Sequence, residues 1–258
     1  MRPRSLGEIL SAAFEIYKTN ASKLILIVAI VVVPLSLLGA LIVHTVAASN
    51  ERTVTVLGQT QTISDRTFAA VVAGSLIAAI VGVIISAVLQ AAMMRAATLA
   101  TIGDPVDVES SYRWGLKRFG SVLLVGLLVG LAVGIGFLLL IIPGIIFLTL
   151  FSVSIPALVI ENRRGTDAMK RSWELAKEHF WHVLGVVVVA AIITGVVSSV
   201  IGSFGGSNWF GSWIFSAIAQ IITAPFSALV SVLLYLDLRA RKEALTADSL
   251  RGELVSGA

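Results

Sequence analysis

The sequence contains no cysteine, which excludes disulfides, thiolate zinc sites and iron–sulfur clusters together. It also has little charge: Asp, Glu, Lys and Arg make up 13% of the residues, about half the share found in soluble domains. There are three histidines, His44, His179 and His182, with no HExxH pattern and no cluster of carboxylates beside them. Ser/His/Asp and Asp/Asp arrangements are missing as well, so the chain reads as a non-enzyme that carries no metal and no cofactor.

What the chain has instead is apolar length. Hydrophobic residues make up 57% and the mean hydropathy is +0.96. The apolar residues are gathered into runs of membrane length, at 24–47, 68–100, 119–140, 144–160, 182–204 and 213–236. A bilayer crossing needs about 20 such residues. The expected fold is therefore all-α: a polytopic membrane protein of about six transmembrane helices in a single domain, with a tail over 239–258. The second run exceeds a crossing, so it tilts or emerges as a helical extension carrying Arg95. Residues 1–20 contain Glu8 and Glu15 and no apolar stretch leading to a cleavage site, unlike a signal peptide.

Charge sets the expected orientation. Of nineteen Lys and Arg, only Arg52 and Arg66 fall in segments assigned outside. That asymmetry predicts a cytoplasmic-membrane protein with both termini inside. A net charge of +4 and a pI near 9.7 are explained by cations flanking the spans, where topology and anionic lipid account for them, so no nucleic-acid partner is expected. Outside, TVTVL at 53–57 and QTQTI at 59–63 around Gly58 suggest a small β-hairpin, and Trp209 and Trp213 suit a headgroup-level anchor.

Each odd-numbered span is preceded by an amphipathic segment with an aromatic residue in similar register, which divides the chain into three units at about 5–101, 104–160 and 165–238. Each unit would be an interfacial helix followed by a transmembrane hairpin. The first segment opens with a Ser5 to Glu8 capping box and carries Phe14 and Tyr17 on its apolar face. In the second, Asp104 is placed to cap a helix opening with Pro105, and Tyr112 and Trp114 mark the anchoring side. In the third, Met169, Trp173, Ala176 and Phe180 form a stripe opposite Lys170, Arg171, Glu174, Lys177 and Glu178. Such segments suit the headgroup plane, with membrane lipids as partners.

The span interiors contain no Asp, Glu or Lys, which argues against proton-coupled transport. Arg95 and Asp237 lie at the inner ends of the second and sixth spans and form a candidate structural pair. His44, Gln90, His179 and His182 are the remaining ligand candidates. Gly126, Gly130 and Gly134 make two successive GxxxG steps for close helix packing, within the chain or onto a second copy, so a homo-oligomer is one option. Pro143 and Gly144 mark the turn of a tight third-to-fourth hairpin, either spanning or re-entrant.

Ser5-Leu-Gly-Glu-Ile-Leu10, Pro143-Gly144, Pro156-Ala-Leu-Val-Ile-Glu161, Ala168-Met-Lys-Arg-Ser-Trp173 and Tyr235-Leu-Asp-Leu-Arg239 resemble the glycerophosphoryl diester phosphodiesterase membrane-domain family and related inner-membrane proteins. The resemblance implies the membrane fold. It does not carry over the family's enzymatic name, because these residues encode no phosphodiesterase barrel. The expected role is that of a non-catalytic membrane protein organising protein partners or lipids; the alternative is a permease or lipid-handling transporter for a small or lipophilic substrate.

Overall fold

In the computed structural model, residues 3–50, 65–163, 165–206, 208–243 and 252 are described, with side chains at 40, 42–50 and 65–79 left aside. The described chain is all α-helical apart from short turns and loops. Its elements are α1 (Leu6–Asn50), α2 (Asp65–Ile102), α3 (Val108–Leu139), α4 (Ile141–Leu150), α5 (Ser154–Glu161), α6 (Thr166–Ala176), a 3₁₀ turn (Lys177–His179), α7 (Phe180–Ser203) and α8 (Trp209–Lys242). Six stretches are long and apolar enough to cross a membrane, with α4 and α5 together making the fourth and α6 through α7 the fifth. The protein is thus a multi-pass membrane protein. The suggested hairpin at 53–63 and the side chain of His44 lie outside the described residues.

Apolar side chains cover the outside as well as the core. Leu127, Ile192 and Val196 are each 58% exposed, a surface that suits acyl chains and would be costly in water. The exception is α8, whose second half runs through the centre of the bundle. From Val232 to Arg239 every residue is buried, so this helix is enclosed all round. It packs on α1 and α7, while α2 packs along α3.

Helix starts follow their caps. Ser5 and Glu8 close the expected capping box, with Ser5 N–H donating to Glu8 Oε2 at 2.7 Å and Glu8 N–H donating to Ser5 Oγ at 3.3 Å. The second cap is three residues later than expected. Asp107, not Asp104, accepts from Ser110 N–H at 2.8 Å, and this bond holds its carboxyl below the usual range. The reason is Val106, 2% exposed, which the core draws in before the helix can begin.

The amphipathic segments of the first two units are not separate elements. Residues 6–50 form one helix of about 68 Å at 1.5 Å per residue, and α3 likewise runs unbroken from its polar start into its span. No proline breaks either stretch: 8–33 has neither Gly nor Pro, and α3 has no Pro and accommodates Gly115 and Gly120 within the helix. Only the third segment, α6, is set off from its span, by the 3₁₀ turn.

The close helix contacts also fall on other glycines than expected. A Cβ on Gly126, Gly130 or Gly134 would meet nothing within 4 Å, because these residues face away from the bundle. A Cβ on Gly115 would lie 2.9 Å from Val88 O, and one on Gly136 would lie 2.9 Å from Gly144 Cα. Gly115 thus seats α3 on α2, and Gly136 with Gly144 closes the α3–α4 hairpin. The turn itself is one residue, extended Leu140, with Pro143 and Gly144 already inside the first turn of α4. Phe137 fills the space that a side chain on Gly144 would need.

Candidate functional site

The polar chemistry of the described residues is concentrated at one end of the bundle, where the last two turns of α8 meet the start of α1, the end of α5, α6 and the start of α7. Here α8 carries Tyr235, Asp237, Arg239 and Arg241 at every second position. On a helix that spacing alternates between two faces. Tyr235 and Arg239 belong to one network, Asp237 and Arg241 to another.

The first network centres on Glu161, the last residue of α5, whose side chain is 8% exposed. It accepts from Arg163 Nε at 2.6 Å, from Arg171 Nε at 2.9 Å and from the Tyr235 hydroxyl. Arg239 Nε lies 3.3 Å away. Arg171 and Arg239 also reach Glu243, the latter at 3.0 Å. Burial works to raise the Glu243 carboxyl, but donation from Arg171 and Arg239 outweighs it and holds the group below its ordinary value. A cleft of about 370 Å³ opens beside this cluster, lined by Asn162, Arg163 and Arg171 among others. Asn162 takes the left-handed conformation (φ 54°) that ends α5, and its side chain accepts from Arg118.

The second network centres on Asp237, whose side chain is fully buried. It accepts from the backbone N–H of Arg4 at 2.5 Å and from Arg241 Nε at 2.9 Å, and His182 Nε2 lies 3.1 Å from it. Arg241 also donates to the Arg4 carbonyl at 2.8 Å. The carboxylate therefore ties the chain before α1 to α7 and α8. Outside it, Lys242 bridges to Glu178 at 2.7 Å.

The candidate pair of Arg95 and Asp237 is not formed. Asp237 is fully taken by Arg4, Arg241 and His182, while Arg95 lies on the α2–α3 side with its guanidinium carbon 5.4 Å from the centre of the Trp114 ring. Sharing an end of the bundle is not sharing a helix face. His179 and His182 do not converge on a common ligand: His182 is held by Asp237, and His179 Nδ1 is buried without a hydrogen-bond partner. Among the described residues no group of three or more His, Asp or Glu is arranged to hold a metal. Gln90 is exposed on α2.

The aromatic anchors divide. Phe14 is 62% exposed, and Trp173 is partly exposed against Phe151, with ring centres 5.8 Å apart. Trp114, however, is 6% exposed, buried under Arg95 and Arg118. Tyr112 donates its hydroxyl to the Ile27 carbonyl of α1, and Phe180 sits edge-on to Trp181. Trp181, 80% exposed, was missed in the stripe because it falls one residue beyond Phe180. Arg171, assigned to the polar face of α6, instead turns inward to Glu161.

Glu161, Tyr235 and Arg239 were legible as residues of short motifs, though not as a site. Their one sequence signal is position: each is a polar group directly at the edge of a long apolar run.

No curated protein and no solved structure matches this chain. The family model described as Domain of unknown function (DUF7847) matches residues 6–237, nearly the whole of the helical bundle with Glu161, Tyr235 and Asp237 inside it, and the chain belongs to that family.

Proposed function

We propose that the chain is a non-catalytic protein of the cytoplasmic membrane, with both termini on the cytoplasmic side, that organises protein partners or membrane lipids around its charged end. The observation that carries this reading is the way the two buried carboxylates are used. Glu161 is spent on Arg163, Arg171 and Arg239, and Asp237 on Arg241 and His182. Groups so engaged act as fasteners between helices; a general base or a proton carrier needs a free lone pair. Five elements are bound together there, which favours a fixed platform over a moving gate.

The three-unit organisation supports the same reading. The units correspond to α1 with α2, α3 with α4 and α5, and α6 and α7 with α8, each led by a polar-faced segment at the charged end. The excess of Lys and Arg at that end supports its cytoplasmic placement. The resemblance to the glycerophosphoryl diester phosphodiesterase membrane domain is proposed for the membrane scaffold alone.

A lipid-handling transporter is the second reading, favoured by the break in the fourth span. The helix is interrupted at 151–153 between α4 and α5, as in the discontinuous helices of many transporters. Crosslinking and mass spectrometry of the protein in native-lipid nanodiscs separate the two. A stoichiometric protein partner is the expected result of the organising role. A selectively enriched small molecule with no protein partner would overturn it in favour of transport.

A further inference from the structure

A second polar cavity, of about 390 Å³, lies between the inner part of α2 and the first three turns of α3, away from the Glu161 and Asp237 networks. That volume is in the range of small-ligand sites, about 300–1,000 Å³. It is lined by three cations, Arg95, Arg113 and Lys117, and by two carboxylates, Asp107 and Glu109. The carboxylates are already committed. Asp107 caps α3 through Ser110 N–H, and Glu109 pairs with Arg113 at 2.5 Å. This leaves Arg95 and Lys117 with no carboxylate among the described residues.

Arg95 is the unusual member. Its Nε is buried and has no hydrogen-bond partner, and the guanidinium lies over the buried Trp114 ring, which stabilises positive charge while accepting no hydrogen bond along the guanidinium edge. A partly buried guanidinium normally meets a planar or tetrahedral oxyanion, because its fork of donors fits two oxygens at once. Lys117, one turn along α3 from Arg113, adds an exposed point charge to the lining. The cavity thus presents a guanidinium and an ammonium beside an aromatic wall.

We infer that the cleft between α2 and α3 binds a phosphate oxyanion, carried by a membrane phospholipid headgroup or by a soluble phosphate, with Arg95 as its principal ligand and Lys117 closing the outer side. This deepens the lipid side of the proposed function and rests on the charged end facing the cytoplasm. Anionic headgroups are concentrated on that surface, and Arg95 sits at the edge of an apolar span where such a headgroup would reach it.

The full-length protein in mild detergent is equilibrated with phosphatidylglycerol or with phosphatidylcholine, and retained lipid is counted by native mass spectrometry. Selective retention of phosphatidylglycerol is expected. Arg95→Met lowers it about tenfold, as expected for loss of a charge-assisted contact. Lys117→Glu, at an exposed position that leaves the packing intact, lowers it too, and Lys170→Glu, outside the cleft, leaves it unchanged. Millimolar inorganic phosphate is the second probe. A phosphate-dependent rise in unfolding temperature that Lys117→Glu and Arg95→Met abolish assigns a soluble phosphate; retention of phosphatidylglycerol without that rise assigns the lipid. Equal retention of both lipids with no phosphate effect overturns the site, as does wild-type behaviour of both cleft variants. Its failure would leave a stoichiometric protein partner found in nanodiscs untouched, so the two readings fail separately.

Discussion

Tyr235 and Glu161, 74 residues apart in sequence, are joined by a hydrogen bond from the phenol to the carboxylate at the point where α8 passes the end of α5. Tyr235 is fully buried, so its hydroxyl has no water to turn to. Replacing it with Phe removes the donor but keeps the ring. The expected cost is about 1–2 kcal/mol, seen as a lowered thermal midpoint in detergent. Glu161→Ala should cost more, about 2–3 kcal/mol, because it removes the carboxylate that Arg171, Arg239 and Tyr235 share and leaves the two guanidinium groups with Glu243 alone as a common acceptor. Equal effects of the two variants would show that the ion pairs contribute little.

Asp237 makes a different prediction, about the start of the chain. Its bond to Arg4 N–H and the Arg241 bond to Arg4 C=O hold the residues before α1 against α8. Asp237→Asn should loosen them, giving faster amide exchange over residues 4–8 with the span of α8 still protected. Unchanged exchange there would mean that apolar packing by Ile9 holds the segment without the carboxylate.

The glycines divide into two testable classes. Gly144→Ala puts a Cβ about where the Phe137 ring lies, so the α3–α4 hairpin must open, at a cost of about 1–3 kcal/mol. Gly130→Ala meets nothing and should leave the monomer as stable as before, or slightly more so, through helix propensity. A loss of stability in Gly130→Ala that depends on protein concentration would instead reveal a second copy packed on that face.

Glu243 gives the pH dependence. Arg171 and Arg239 hold its carboxyl below the ordinary 4.5, so the folded state binds the proton less readily than the unfolded one. Its contribution is full above that value and is lost as pH falls through the lower folded value. The wild-type unfolding midpoint should therefore drop on acidification below about pH 4.5, the ordinary glutamate range. The drop should be smaller in Glu243→Gln. Parallel curves for the two proteins would exclude Glu243 as the titrating group.

Orientation can be tested through the connection between α5 and α6. Neutralising Arg163, Arg164 and Lys170 removes three cations from the connection and the start of α6 while sparing Arg171 and its role beside Glu161. Reporter fusions after α5 should then show a weakened preference for the inside. No change would mean that the remaining cations suffice to orient the chain.

Most of the fold was legible because its signal is local. A run such as 182–204 declares itself by hydropathy alone, and the Ser5–Glu8 box by a spacing of three residues. The cap of α3 was misplaced at Asp104 because Asp107 has the same chemistry, and the choice between them was made by the burial of Val106. Trp114 was read as a lipid anchor because an amphipathic pattern does not show that Gly115, next to it, lets α2 come within contact and cover the ring.

Hydropathy and charge along the chain are enough to specify a helical membrane protein with six spans and charges gathered at span edges, since both follow from transfer energies summed along short stretches of chain. Which charge meets which was decided only by the tertiary structure. The sequence paired Asp237 with Arg95, whereas its partners are Arg4, Arg241 and His182, because whether a side chain faces α1, α5 or α7 depends on the rotation of α8 in the bundle. The same rotation places Arg239 with Glu161 and leaves Arg95 over Trp114 in the cleft between α2 and α3. That angle is set by packing between helices distant in sequence, and no local pattern records it.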